Sequence, residues 1–282
     1  MTPVVLGAVL FAAVLHGTWN AIAKAIPDRL VSSALIGLVH LVVGGLACIF
    51  LPVPEPAAWP ALLASVLLQT AYLIMLTAAY SRTEFSKAYP LTRGVAVVVV
   101  TIVSVGVLRE PLSTLQVLGV VVVAVALLGL AFGGGGDRGR ARNLLMPVLV
   151  GLVVASYTLV DGVGVRASGA ALGYAAWLFF LQGITLPVAC LVLSRDRRGL
   201  MSGMRRHVGW GALGGTLALT AYGIVVWAQS VAPLALVSAL RETSVLMAAF
   251  IGFLFFRERL TVTRVGATSF AMAGVVMLRL GA

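Results

Sequence analysis

Arg109-Glu110-Pro111-Leu112-Ser113 returns downstream as Arg257-Glu258-Arg259-Leu260-Thr261, displaced by 148 residues. The same displacement carries Arg93 onto Arg241, each lying about two turns inside an apolar run. Farther upstream, Thr70-Ala71-Tyr72 recurs as Thr220-Ala221-Tyr222 at a spacing of 150, the two-residue change being absorbed in a loop. Gly119 and Gly266, 147 apart, are one residue out of register and add little. Short matches arise by chance in apolar sequence, but these keep their order and a near-constant spacing. The chain therefore reads as a duplication, with a first repeat over 1–133, a linker at 134–143 and a second repeat over 144–282. The linker is marked by the run Gly133 to Arg142, in which four consecutive glycines are followed by Asp137, Arg138, Arg140 and Arg142.

Composition supplies the solvent. Of 282 residues, 61% are hydrophobic and 10% charged, against roughly 25% charged in a soluble domain. That much apolar surface needs lipid, and a spanning helix takes about 20 apolar residues. Apolar runs at 3–25, 31–52, 58–80, 86–108 and 113–133 precede the linker; runs at 144–166, 171–194, 208–230, 233–256 and 260–280 follow it. The expected fold is an all-α integral membrane protein of ten transmembrane helices. Five spans per repeat is an odd number, so the second copy enters the membrane upside down and the two five-helix repeats are inverted. Little chain is left for a soluble domain.

Two five-helix repeats, each with an Arg-Glu-x-Leu-Ser/Thr segment between its fourth and fifth helices, resemble the EamA-type transporters of the drug/metabolite transporter superfamily. The Trp19-Asn20 pair, with Lys24, is similar to that family's opening helix. The resemblance covers essentially the whole chain. It implies a secondary transporter of small metabolites, of a family whose members export amino acids or carry nucleotide sugars and sugar phosphates.

The net charge of +11 would point to nucleic acid in a soluble protein, but here it reads as a topology signal. Fifteen of the twenty lysines and arginines fall on the side of the connections after helices 1, 3, 5, 7 and 9, the Arg195 to Arg206 connection among them. Only Arg109, Arg166 and Arg279 fall on the other, while Arg93 and Arg241 lie within spans. The positive-inside rule then places both termini outside the cytoplasm, against the usual family drawing; in a bacterium the membrane would be the cytoplasmic one.

Ionisable groups inside spans are costly and face a cavity or a partner. Arg93, Asp161, Arg241 and Glu242 qualify. The matched arginines should approach the middle from opposite faces, as a central site or paired gates; the bland alternative is that they pair with Asp161 and Glu242 to hold the bundle. His16, Asn20 and Lys24 share one face of the first helix, and Tyr157 and Asp161 share a face of the sixth. Tyr89 sits one turn before Arg93, across Pro90. Gln69, Tyr72 and Tyr80 mark the third helix, Thr220 and Trp227 the eighth. The candidate substrate-binding set is Arg93, Arg241, Glu242, Asp161, Tyr89, Asn20, Trp19, His16, Tyr72 and Tyr157. A guanidinium forks onto a carboxylate or phosphate, and Asp161 or Glu242 can receive an ammonium group, so an amino acid or related amphoteric compound satisfies both.

Other motifs fail. Gly162-Val163-Gly164-Val165-Arg166-Ala167 imitates a dinucleotide fingerprint but closes a membrane helix instead of following a strand. His16, His40 and His207 are too dispersed for a metal motif, and Cys48 and Cys190 read as packing thiols. Gly211 and Gly215 read as a helix-packing pair. No metal, cofactor or nucleic-acid partner is expected. The expected partners are a small-molecule substrate, membrane lipids and, as an open question, a coupling proton, with the chain a monomer or weak dimer. The leading function is alternating-access export of amino acids or related compounds. Its alternatives are a carrier of anionic or phosphorylated metabolites, a drug/proton antiporter, a passive channel and an intramembrane enzyme, the last lacking a nucleophile and base at credible spacing. The charge count predicts that a reporter active only in the cytoplasm is silent when fused after Ala282; activity there refutes this orientation.

Overall fold

The computed structural model describes residues 1–80, 85–132, 141–244 and 262–281, with side chains over 1–23, 26–75, 88–131, 144–244 and 266–281. Among these residues the regular elements are all helical: α1 (Pro3–Ala25), α2 (Arg29–Phe50), α3 (Trp59–Tyr80), α4 (Phe85–Gly106), α5 (Thr114–Phe132), α6 (Ala141–Ala167), α7 (Ala171–Leu193), α8 (Arg197–Val231), α9 (Leu234–Arg241) and α10 (Val262–Leu280). Eight of them, α1 to α8, are long and apolar enough to cross a membrane. The ninth expected span is described only as far as residue 244, and α10 contributes a shorter apolar stretch, Gly266–Leu280. The Arg257 to Thr261 motif, most of the linker, and the side chains of Lys24 and Tyr80 lie outside the described residues.

Local chemistry sets the helix starts. Thr2 accepts the Val5 N–H at 3.4 Å, with Pro3 in the first turn where its missing N–H does no harm. Asp28 accepts from the N–H groups of Leu30 and Val31 at 2.8 and 3.4 Å. Two boundaries differ from expectation. α6 begins at Ala141, within the stretch read as linker. The basic Arg195 to Arg206 connection is largely helical, because Asp196 caps Gly199 N–H at 2.9 Å and Leu200 buries against Ile26, Val31 and Leu35. Its arginines stay exposed, and His207, at φ −110° and ψ 16°, breaks the helix before the membrane span.

The packing scheme maps onto itself when helix n is exchanged with n+5. α2 packs on α7, α4 on α9 and α5 on α10. α3 against α6 answers α8 against α1, and α4 against α6 answers α9 against α1. Outward faces are apolar, as at Phe50 and Val192, which are 82% and 73% exposed; lipid is their solvent. Helices packed within lipid approach closely through small residues. A Cβ on Gly211 or Gly215 would lie 2.5 or 2.7 Å from Leu35 or Val39 of α2, which confirms the packing role. Gly119 of α5 meets the Gly274 carbonyl of α10, whereas its sequence counterpart Gly266 meets nothing within 4 Å among the described residues. Gly162 and Gly164 lie inside α6, packed on Leu234 and Tyr174, with no strand or loop to bind a dinucleotide.

The tightest test of the α2–α7 contact is Gly183, where a Cβ would sit 2.2 Å from the Leu41 nitrogen and 2.4 Å from its Cα. Backbone cannot yield as a side-chain tip does. Gly183→Ala is expected to destabilise by about 1–3 kcal/mol, the usual overpacking range, whereas Gly266→Ala is expected to be neutral or better; unfolding of both in detergent checks this.

Candidate functional site

α4 and α9 bring the two repeat-matched arginines to one carboxylate. Arg93 Nη1 lies 3.5 Å from Glu242 Oε1, and Arg241 Nε lies 3.6 Å from the same oxygen. All three residues are at most 5% exposed. Both separations are too long for hydrogen bonds of ordinary geometry. Among the described residues, Arg241 Nε and Nη2 and both oxygens of Glu242 have no hydrogen-bond partner. Donors and acceptors with unused capacity therefore face one another in a buried space.

Arg93 is otherwise well held. Its Nη2 donates to His16 Nε2 at 3.2 Å, and its guanidinium stands 5.3 Å from the Tyr89 ring centroid. An imidazole that accepts at Nε2 carries its proton on Nδ1, so the Trp19 Nε1 contact at 3.4 Å acts as an edge-on ring contact, 5.3 Å between centroids. An aromatic wall continues from there. Tyr72 and Tyr157 meet at 6.0 Å, Tyr157 and Tyr222 at 6.3 Å, and Tyr222 and Phe179 at 6.3 Å, all near edge-on.

Asp161 forms a second polar centre with a different character. It is fully buried and accepts from Tyr222 Oη at 2.5 Å, Tyr174 Oη at 3.0 Å and Gln69 Nε2 at 3.3 Å. Gln69 in turn accepts from Gln182 Nε2 at 2.7 Å, and Gln182 Oε1 accepts from His40 Nδ1 at 3.1 Å. Four helices, α2, α7, α3 and α6, are thus joined by one buried chain.

A third centre seals one end of the interior. Arg109, at φ 54°, turns the chain after α4 so that Glu110 points inward. Glu110 Oε2 accepts the Leu234 N–H at 2.8 Å and the Ser104 hydroxyl, and its Oε1 pairs with Arg166 at 2.5 Å. Arg166 also donates to the carbonyls of Gln229 and Ala232, each at 2.9 Å. The carboxylate meets the positive end of α9, and the clasp ties the α4–α5 turn of one repeat to α6 and the α8–α9 turn of the other. Leu234 and Arg241 are seven residues apart, about 10 Å of helix rise.

Most of the residues singled out from sequence therefore gather. Arg93, Arg241, Glu242, His16 and Tyr89 form one contact set, with Trp19 behind His16 and Tyr72 and Tyr157 alongside. The partners within this set are specific. The arginines share Glu242, and neither pairs with Asp161, because Asp161 faces α3, α7 and α8. Asn20 donates to the His16 carbonyl of its own helix at 2.7 Å, and Thr220 is exposed. Tyr222, two residues on from Thr220, is the α8 residue that enters. Tyr174, Gln182, Glu110 and Arg166 are the other additions; a tyrosine or glutamine within an apolar run was the only available signal for the first two. Among the described residues no cluster of His, Cys, Asp and Glu could hold a metal ion, and both cysteines are free.

A bundle of membrane-spanning helices with a buried, charged interior defines a polytopic membrane protein whose polar site lies between helices from both halves of the chain. The chain belongs to the EamA-like transporter family, whose model matches residues 4–132 and 142–280. It is thus a membrane transporter of the drug/metabolite type. No curated protein matches it. A solved structure described as "Crystal structure of protein" is similar over 100% of both chains, with a TM-score of 0.77 and 14% identity, a likeness of fold alone.

The clasp generates a stability prediction. Glu110→Ala leaves Arg166 without its carboxylate and the Leu234 N–H without an acceptor. The expected loss is about 1–3 kcal/mol, the range for leaving a buried donor unsatisfied, read from unfolding of the purified protein.

Proposed function

We propose that the chain exports amino acids or closely related amphoteric metabolites by alternating access, with Arg93, Arg241 and Glu242 as the substrate-binding centre. The observation that carries this reading is the pairing of unused groups. Arg241 offers donors that match a carboxylate, and Glu242 offers acceptors that match an ammonium group, side by side and buried. An α-amino acid presents those complementary groups on one carbon. Tyr72, Tyr89 and Tyr157 supply walls that tolerate varied side chains, and His16 holds Arg93 in place. Export is the direction suggested by the family resemblance. The Glu110–Arg166 clasp joins the two halves at one end, so opening that end requires breaking it, as rocking of one repeat against the other would do.

A second reading has its own support. Two guanidinium groups share one carboxylate, which leaves the cluster with a surplus positive charge suited to a phosphorylated metabolite.

Proteoliposomes loaded with radiolabelled amino acids test the proposal. The expected result is saturable counterflow, with half-saturation raised about 10- to 100-fold by Arg241→Ala, the equivalent of one charge-assisted hydrogen bond. Folded protein without amino-acid flux overturns the substrate assignment, and inhibition by sugar phosphates but not amino acids moves it to the second reading.

A further inference from the structure

We propose that Asp161 is a proton-binding carboxyl, loaded from water on one side of the membrane and unloaded to water on the other, which couples transport to protons. The coupling role rests on the function proposed above; the proton binding does not.

Among the described residues, three acids are buried in the interior, and they are treated differently. Glu242 has two arginines and Glu110 has Arg166. Asp161, which is 0% exposed, has no cation within ion-pair distance among the described residues. Its partners are neutral donors: Tyr222 of α8, Tyr174 of α7 and Gln69 of α3. A purely structural buried carboxylate is normally matched by charge, and proton relays are among the roles that intramembrane acids serve. The shell also serves either protonation state. A tyrosine hydroxyl donates to the carboxylate and, by rotating, accepts from the carboxylic acid, so gaining a proton leaves no group orphaned.

The hydrogen-bond chain supports the same assignment. Its donors all point one way, from His40 Nδ1 through Gln182 and Gln69 to Asp161, so the bonds polarise one another toward the carboxylate. At the far end His40 Nε2 is buried without a hydrogen-bond partner. The titratable and charged groups around Asp161 are few. α7 and α8 present Tyr174 and Tyr222, α3 presents Tyr72 beyond Ser65 and Gln69, and α6 itself presents Tyr157. α9 presents Arg241, whose field reaches Asp161 without an ion pair, and Arg93 of α4 is engaged by Glu242.

Charge counting links the two centres. Among the described residues, protonating Asp161 adds one positive charge to an interior that already holds the Arg93, Arg241 and Glu242 cluster. Tyr157 and Tyr222 are in ring contact between the centres, so a change of charge at Asp161 alters the field at the arginines.

Infrared difference spectroscopy of the full-length protein in lipid, titrated with acid and without substrate, tests the proposal. Wild type is expected to gain a protonated-carboxyl C=O band that is lost in Asp161→Asn and kept in Glu242→Gln and Glu110→Gln. Tyr222→Phe is expected to shift its frequency, because it removes the 2.5 Å partner, and this variant decides the matter if Asp161→Asn does not fold. An unchanged band in folded Asp161→Asn, or an unshifted one in Tyr222→Phe, overturns the proposal. In vesicles that show amino-acid counterflow, an imposed pH gradient is expected to alter wild-type flux; insensitivity to the gradient overturns the coupling. Where no amino-acid flux exists, the band still decides proton binding, so the two proposals fail separately.

Discussion

Glu242 holds Arg93 and Arg241 together in a place where lipid, not water, surrounds the protein, and the interior is organised around that ion cluster. A charge in hydrocarbon has to find its match within the fold. α4 and α9 carry the charges of the cluster and pack on one another, and α1 supplies His16 to fill the remaining face of Arg93. The 3.5 and 3.6 Å separations show that Coulomb attraction, not hydrogen bonding, joins the three groups. Attraction without saturated hydrogen bonds holds the charges together while leaving donors and acceptors unused.

Among the described residues, the other buried acids have different partners. Glu110 is fully engaged by an arginine, a backbone N–H and a hydroxyl, which suits a clasp that is either closed or broken. Asp161 is engaged only by neutral groups on three helices, which suits a group whose charge can change. Aromatic rings fill the space between the centres, and glycine contacts let the outer helices come close enough to hold them. Where α2 meets α7, backbone touches backbone at Gly183, so the frame around the polar chain has little room to relax.

Much of this was legible along the chain. Hydropathy located α1 to α8, with the start of α8 lying at Arg197 instead of 208, and the matched Arg93 and Arg241 lie in the cluster that forms. The Thr70 to Tyr72 repeat led to Thr220 and passed over Tyr222, its own third residue, because the sequence does not say which face of α8 looks inward. The basic stretch before His207 read as a loop because its charges hide a single buried leucine, Leu200, that anchors it as a helix.

The sequence by itself determined the solvent, the helical class and the duplication. Those are properties of segments: the free energy of placing a segment in lipid is summed along the chain and needs no knowledge of neighbours. Only the tertiary structure decided that both arginines choose Glu242, that Asp161 is left to tyrosines and amides, and that Glu110 crosses to the start of α9. Partners depend on how each helix is rotated about its axis. One residue advances that rotation by about 100° while moving only about 1.5 Å in depth, so residues at almost the same depth can face different neighbours.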